Sequence, residues 1–174
     1  MPTNRKQLQK RIKLLIWMII IGLALSGITA FPIETELAWL STNSGFMSAH
    51  AQHWLNTVYN AVKATNAAYP YLSYGTDWLA FAHLLLAVLF IGPLRDPVKN
   101  IWIIQFGIIA SIAIFPLAFI AGSIRHIPFF WRLIDCSFGV ICLIPLLKVR
   151  IYLKQLDRTK QPYATPVKLS NQEL

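Results

Sequence analysis

The sequence predicts an all-α, polytopic membrane protein: four transmembrane helices with an extracytoplasmic amphipathic helical insertion between the first and second spans. Composition is the first reason, since 56% of the 174 residues are hydrophobic and 13% charged, whereas soluble domains carry roughly 25% charged residues. The second is distribution. Four apolar stretches approach the roughly 20 residues that cross a bilayer, and within them lie three ionisable side chains, His83, Arg132 and Asp135. The third is a lopsided basic charge, which sets the orientation.

In chain order, residues 1–13 are a basic N-terminus and residues 14–31 an uncharged first span. That run exceeds the roughly 7 to 15 apolar residues of a secretory signal core, so a retained span is favoured over cleavage near Ile28-Thr29-Ala30. Residues 32–76 are too long for a turn and too apolar for a linker. In them Met47, Ala51, Trp54, Leu55, Val58, Val62 and Thr65 recur at helical spacing, the stripe of an amphipathic helix. Tyr69, Pro70, Tyr71 and Tyr74 then mark an aromatic loop returning to the membrane.

The second span covers residues 77–94, with Thr76-Asp77 expected to cap it, and residues 95–99 are a cytoplasmic turn. Asp96-Pro97 is expected to start the third span, 100–122, with Asp as N-cap and Pro at the first helical position. Residues 123–127 form an outer loop. The uncharged part of the last apolar stretch, Cys136 to Leu147, is too short to span, so the fourth span must open near Pro128 and run through 147, drawing Arg132 and Asp135 into the membrane. Phe129, Phe130 and Trp131, with Trp78 and Trp102, read as interfacial aromatic belts. The tail, 148–174, begins as a basic helical extension, and Pro162 and Pro166 predict disorder after about residue 160.

Thirteen of the 16 basic residues flank these spans on one side: Arg5, Lys6, Lys10, Arg11, Lys13, Arg95, Lys99, Lys148, Arg150, Lys154, Arg158, Lys160 and Lys168. The bias of Lys and Arg toward cytoplasmic loops therefore places both termini in the cytoplasm, in agreement with an even number of spans. The lipid bilayer accounts for the net charge of +9, and no nucleic-acid partner is needed to explain it. Small residues at spacing four, Gly107/Ser111 and Ala118/Gly122 in the third span and Gly22/Ser26 in the first, suit close helix packing with neighbouring spans, a membrane-protein partner or a second copy.

Ionisable groups in hydrocarbon are costly and usually face a protein interior, which makes His83, Asp135 and Arg132 the candidate catalytic or binding site. Arg132, Asp135, Cys136 and Gly139 share one helical face; Ala80, His83 and Ala87 share another. Two arrangements follow: a polar site joining all three, or a structural Arg132–Asp135 ion pair one turn apart with His83 bonded elsewhere. Asp77, Arg125 and His126 form an outer polar rim. His50 and His53, three apart on the insertion helix, and His83 are metal candidates, although a closed zinc site wants about four ligands and no Cys or carboxylate lies close by. Cys136 and Cys142 stand too far apart on one helix for a disulfide.

Three segments, Tyr74-Gly75-Thr76-Asp77-Trp78-Leu79-Ala80-Phe81-Ala82-His83, Gly92-Pro93-Leu94-Arg95-Asp96-Pro97 and Ile127-Pro128-Phe129-Phe130-Trp131-Arg132-Leu133-Ile134-Asp135-Cys136, resemble those of uncharacterised bacterial four-span integral membrane proteins. The resemblance covers mainly residues 70–150, implies a bacterial inner membrane, and transfers no functional residue. From these readings the expected function is a structural or accessory component of a membrane complex. The alternatives are a membrane enzyme or redox protein that uses His83, Asp135 and Arg132 with a metal, haem or quinone, and an oligomeric carrier of protons, ions or small lipids.

Overall fold

The computed structural model describes residues 5–158, and the expected disorder after about residue 160 lies outside them. Among the described residues the chain is all helical, with no strand. The α-helices are α1 (Arg5–Ala30), α2 (Ile33–Thr42), α3 (Ala49–Ala68), α4 (Tyr74–Leu89), α5 (Ile91–Arg95), α6 (Ile101–Ile124) and α7 (Phe129–Arg158). Among the described residues four segments are long and apolar enough to cross a membrane: Arg5–Ala30, Pro70–Arg95, Ile101–Ile124 and Phe129–Asp157.

Contacts divide the chain into two compact units: one holds the residues up to Ile16 together with Asp96 onward, the other Trp17–Arg95. In the first unit α6 and α7 form a hairpin. Gly107, Ser111, Ala118 and Gly122 are all buried on α6, and at Ser111 the helix approaches α7 so closely that a Cβ on Gly139 would stand 2.8 Å from the Ser111 carbonyl oxygen. Glycine is thus required at 139 by proximity, as small-residue packing predicts. The core of this unit also includes Leu8, Ile12 and Ile16 on α1, Ile104 on α6, and Leu146 and Val149 on α7, none more than 2% exposed.

The turn joining α6 to α7 is a Schellman motif. The Ile127 amide donates to the Gly122 carbonyl at 2.8 Å and the His126 amide to the Ser123 carbonyl at 3.2 Å, while His126 takes a left-handed φ of 54°. That position usually goes to glycine, because the left-handed region costs a side-chain-bearing residue about 1–2 kcal/mol.

In the second unit, α2 and α3 lie antiparallel. Leu37 and Leu55 are buried, and the stripe Met47, Ala51, Trp54, Val58, Val62 and Thr65 is sheltered to an intermediate degree. Ser48 caps α3 by accepting from the Ala51 amide at 3.3 Å. Gln52 ties the preceding turn by donating to the carbonyls of Ser44 and Met47, each at 3.0 Å. Side chains staple the pair at both ends: the Ser41 hydroxyl donates to the Asn56 side-chain oxygen, and the Asn66 amide donates to the Glu34 carboxylate at 2.6 Å. The Ser73 hydroxyl donates to the Asn66 side-chain oxygen in turn.

Several boundaries differ from expectation. Helix α4 begins at Tyr74 rather than after Asp77, because the amides of Thr76 and Asp77 bond the Ser73 carbonyl at 2.9 and 3.1 Å and lie inside the first turn. Asp77 there faces the positive end of the helix dipole. Asp96 does cap, accepting from the Val98 and Lys99 amides at 3.1 Å each, but it caps a separate turn, and α6 starts at Ile101 with Asn100 at its N-cap. Gly22 and Ser26 are exposed, with nothing within 4 Å of a Cβ on Gly22. The close approach on α1 is at Gly27, whose Cβ would meet the Ala80 carbonyl oxygen at 2.8 Å and Leu84 at 2.9 Å.

Candidate functional site

Helical periodicity places Arg132, Asp135, Cys136 and Gly139 on one face of α7, and the structure keeps that face inward, with Cys136 and Gly139 buried and the two charged residues half-buried. Arg132 and Asp135 do not pair. The Arg132 Nε donates to the Ile127 carbonyl at 2.7 Å, and its Nη1 donates to the Ser123 hydroxyl at 2.7 Å. The stem lies along Gly122, where an added Cβ would come within 3.0 Å of the Arg132 Cδ. Side chains on a helix slope toward its N-terminus. An Arg placed before an Asp therefore reaches back over the preceding turn, away from the carboxylate; the helical order that favours pairing is acid before base. Arg132 thus locks the α6–α7 turn, with Ser123 held by its own bond to the Phe119 carbonyl at 2.6 Å.

Asp135 faces a groove between α6 and α7 of about 270 Å³, lined on the α6 side by Ile114, Leu117, Ala118 and Ala121, and toward the turn by Arg125 and Ile127. Its carboxylate takes no hydrogen-bond or ion-pair partner among the described residues. The groove is apolar apart from Asp135 at one place and Arg125 at another.

His83 belongs to the other unit. On α4 it shares a face with Ala80 and Ala87, both buried, and its Nδ1 sits 2.8 Å from the Leu79 carbonyl oxygen. A carbonyl only accepts, so Nδ1 is the donor in this contact. Asp77, with Phe31, Tyr74, Trp78 and Phe81, lines an aromatic groove of about 230 Å³ in the same unit. Tyr74, Trp78 and Phe81 stack edge-on in sequence at 6.0 and 6.2 Å.

Of the rim residues, Arg125 is the C-cap of α6 and His126 is the left-handed residue of the Schellman turn, a backbone role that sequence spacing did not reveal. His50 and His53 are both exposed on α3. Among the described residues no three His, Cys, Asp or Glu side chains converge as a metal-binding group, so His50, His53 and His83 are not gathered into one ligand set.

The residues missed by sequence reasoning are Ser123 and Gly122, which receive Arg132. Gly122 was legible as a packing residue; its service to an arginine stem was not. No protein-family model, curated protein or solved structure matches this chain at a significant level.

Proposed function

We propose that this chain is a multi-pass protein of a bacterial inner membrane, with both termini cytoplasmic, and that it serves as a structural or accessory component of a membrane complex. Its four long apolar helices carry large exposed side chains over most of their surface, for example Trp102, Leu117, Ile120 and Ile124 on α6, and only a bilayer or a protein partner accepts such a surface. On this reading the α2–α3 pair lies at the extracytoplasmic face, opposite the basic flanks.

The observation that carries the accessory role is the shape of that pair. Side-chain hydrogen bonds staple it into a fixed form, yet it presents Trp39 at 66% and Phe46 at 79% exposure. A rigid segment with exposed aromatics is suited to docking, since aromatic anchors dominate interface energies. The test is native electrophoresis of the chain solubilised from its own membranes. The expected result is migration in an assembly larger than the monomer, and dispersal of that assembly by Trp39→Asp with Phe46→Asp. Migration as a monomer before substitution overturns the reading.

A second reading, an enzyme or redox protein, rests on Asp135, whose carboxylate faces the α6–α7 groove without a partner. It expects Asp135→Asn to abolish function while leaving assembly size unchanged.

A further inference from the structure

The end of the α6–α7 hairpin away from Asp135 holds a second groove, of about 310 Å³, of different character. Arg150 and Lys154, one turn apart on α7, line it together with Gln105 of α6 and Asp157. Val98, Ile101 and Leu153 supply an apolar wall. Arg150 and Lys154 are exposed, and neither takes an ion-pair partner among the described residues. With Asp157 included, the groove keeps a net charge of about +1, two cations against one carboxylate.

Its level along the helix is informative. Arg150 follows Phe129 by twenty-one residues, which at 1.5 Å per residue is about 32 Å along the axis, close to the roughly 30 Å thickness of bilayer hydrocarbon. If the aromatic run Phe129–Trp131 marks one interface, Arg150 and Lys154 stand at the other, where headgroup phosphates lie. A basic pocket between spans at the cytoplasmic interface, with an apolar wall beneath it, has the chemistry of an anionic-lipid site.

We infer that this groove binds an anionic glycerophospholipid. Arg150 and Lys154 hold the phosphodiester, an acyl chain runs against Ile101 and Leu153, and Asp157 and Gln105 accept hydrogen bonds from a headgroup hydroxyl, as phosphatidylglycerol supplies. Asp157 disfavours headgroups of higher negative charge, and the positive balance favours an anionic lipid over a zwitterionic one. The inference rests on the membrane reading above.

The full-length chain, delipidated in neutral detergent, is titrated with phosphatidylglycerol, phosphatidylethanolamine, phosphatidylcholine and water-soluble glycerophosphoglycerol, and bound lipid is counted by native mass spectrometry. Phosphatidylglycerol is expected to bind most tightly. Arg150→Gln with Lys154→Gln is expected to weaken it about 30-fold, as two interfacial cations of about 1 kcal/mol each imply, whereas Lys10→Gln with Lys13→Gln changes it less than about twofold. Equal losses in the two double variants, no loss in either, or phosphatidylethanolamine binding at least as tightly would overturn the lipid site. Glycerophosphoglycerol binding as tightly as the lipid would make it a free-anion site instead and also overturn the inference. Alkaline carbonate extraction separates the two levels: release of the chain from membranes defeats the membrane reading itself, while retention together with unaltered lipid binding in Arg150→Gln/Lys154→Gln defeats only the groove.

Discussion

The α6–α7 hairpin and the α2–α3 pair are both antiparallel helix pairs, but they are joined by opposite means. Along α6–α7, beside the buried Ile104, Leu146 and Val149, the closest approach is made by what is missing: Gly139 lies against the Ser111 carbonyl, and Gly122 makes room for the Arg132 stem. Along α2–α3 it is made by what is present, namely Leu37 and Leu55 in the seam and the polar staples Ser41–Asn56 and Glu34–Asn66 at its ends. On the membrane reading proposed above, the difference follows the solvent each pair is suited to. Lipid gives helices no hydrophobic reason to associate, so close backbone approach must supply the dispersion; in water, burial of a leucine is itself a driving force.

This contrast is open to direct attack. The largest effect is expected at Leu55, 2% exposed. Leu55→Ala should destabilise the α2–α3 pair by about 3 kcal/mol, the usual cost of a leucine cavity, and hydrogen exchange should show residues 33–68 opening while α6 and α7 stay protected. If both pairs open together, the two are not energetically separate. Gly139→Ala should cost about 2 kcal/mol through overpacking, because the atom in its way is backbone and cannot rotate aside. Denaturation of the hairpin in mixed detergent micelles measures it, with Gly22→Ala as a control expected to cause no loss, since space is open there and alanine favours the helix by up to about 1 kcal/mol.

Asn66→Ala removes one bond to a carboxylate and one from Ser73, for about 1 kcal/mol in a part-buried site. Its signature is faster proteolysis between residues 66 and 73, with the hairpin unaffected. A change of similar size in the other direction is a gain. His126→Gly relieves the left-handed φ and should stabilise the α6–α7 turn by about 1 kcal/mol, whereas a stability loss would show that the imidazole makes a contact worth more than the strain.

Much of the fold was legible in the sequence. The four long apolar helices follow from runs of uncharged residues, and the stripe Met47 to Thr65 follows from periodicity. Helix starts were less legible: Thr76-Asp77 and Asp96-Pro97 carry good capping chemistry, but Ser73 and Asn100 take the N-cap positions. Cap preference is worth about 1 kcal/mol, too little to fix a boundary against the packing of a whole helix. The candidate site was half legible. Arg132 and Asp135 do share an inward face, yet each has its own surroundings, Ser123 and Ile127 for one and an apolar groove for the other.

The sequence by itself determined the number and approximate position of the long apolar helices, because each follows a run of about twenty residues with almost no charge. It also determined which residues share a helical face, since 3.6 residues per turn leave no freedom there. Only the tertiary structure decided which small residue is the contact, Gly27 rather than Gly22, and where the long side chains of that face end. Both depend on the few ångströms between one helix and the next: there a backbone carbonyl 2.8 Å from where a Cβ would stand excludes a methyl group, and an arginine stem finds the glycine that opens its path to Ser123.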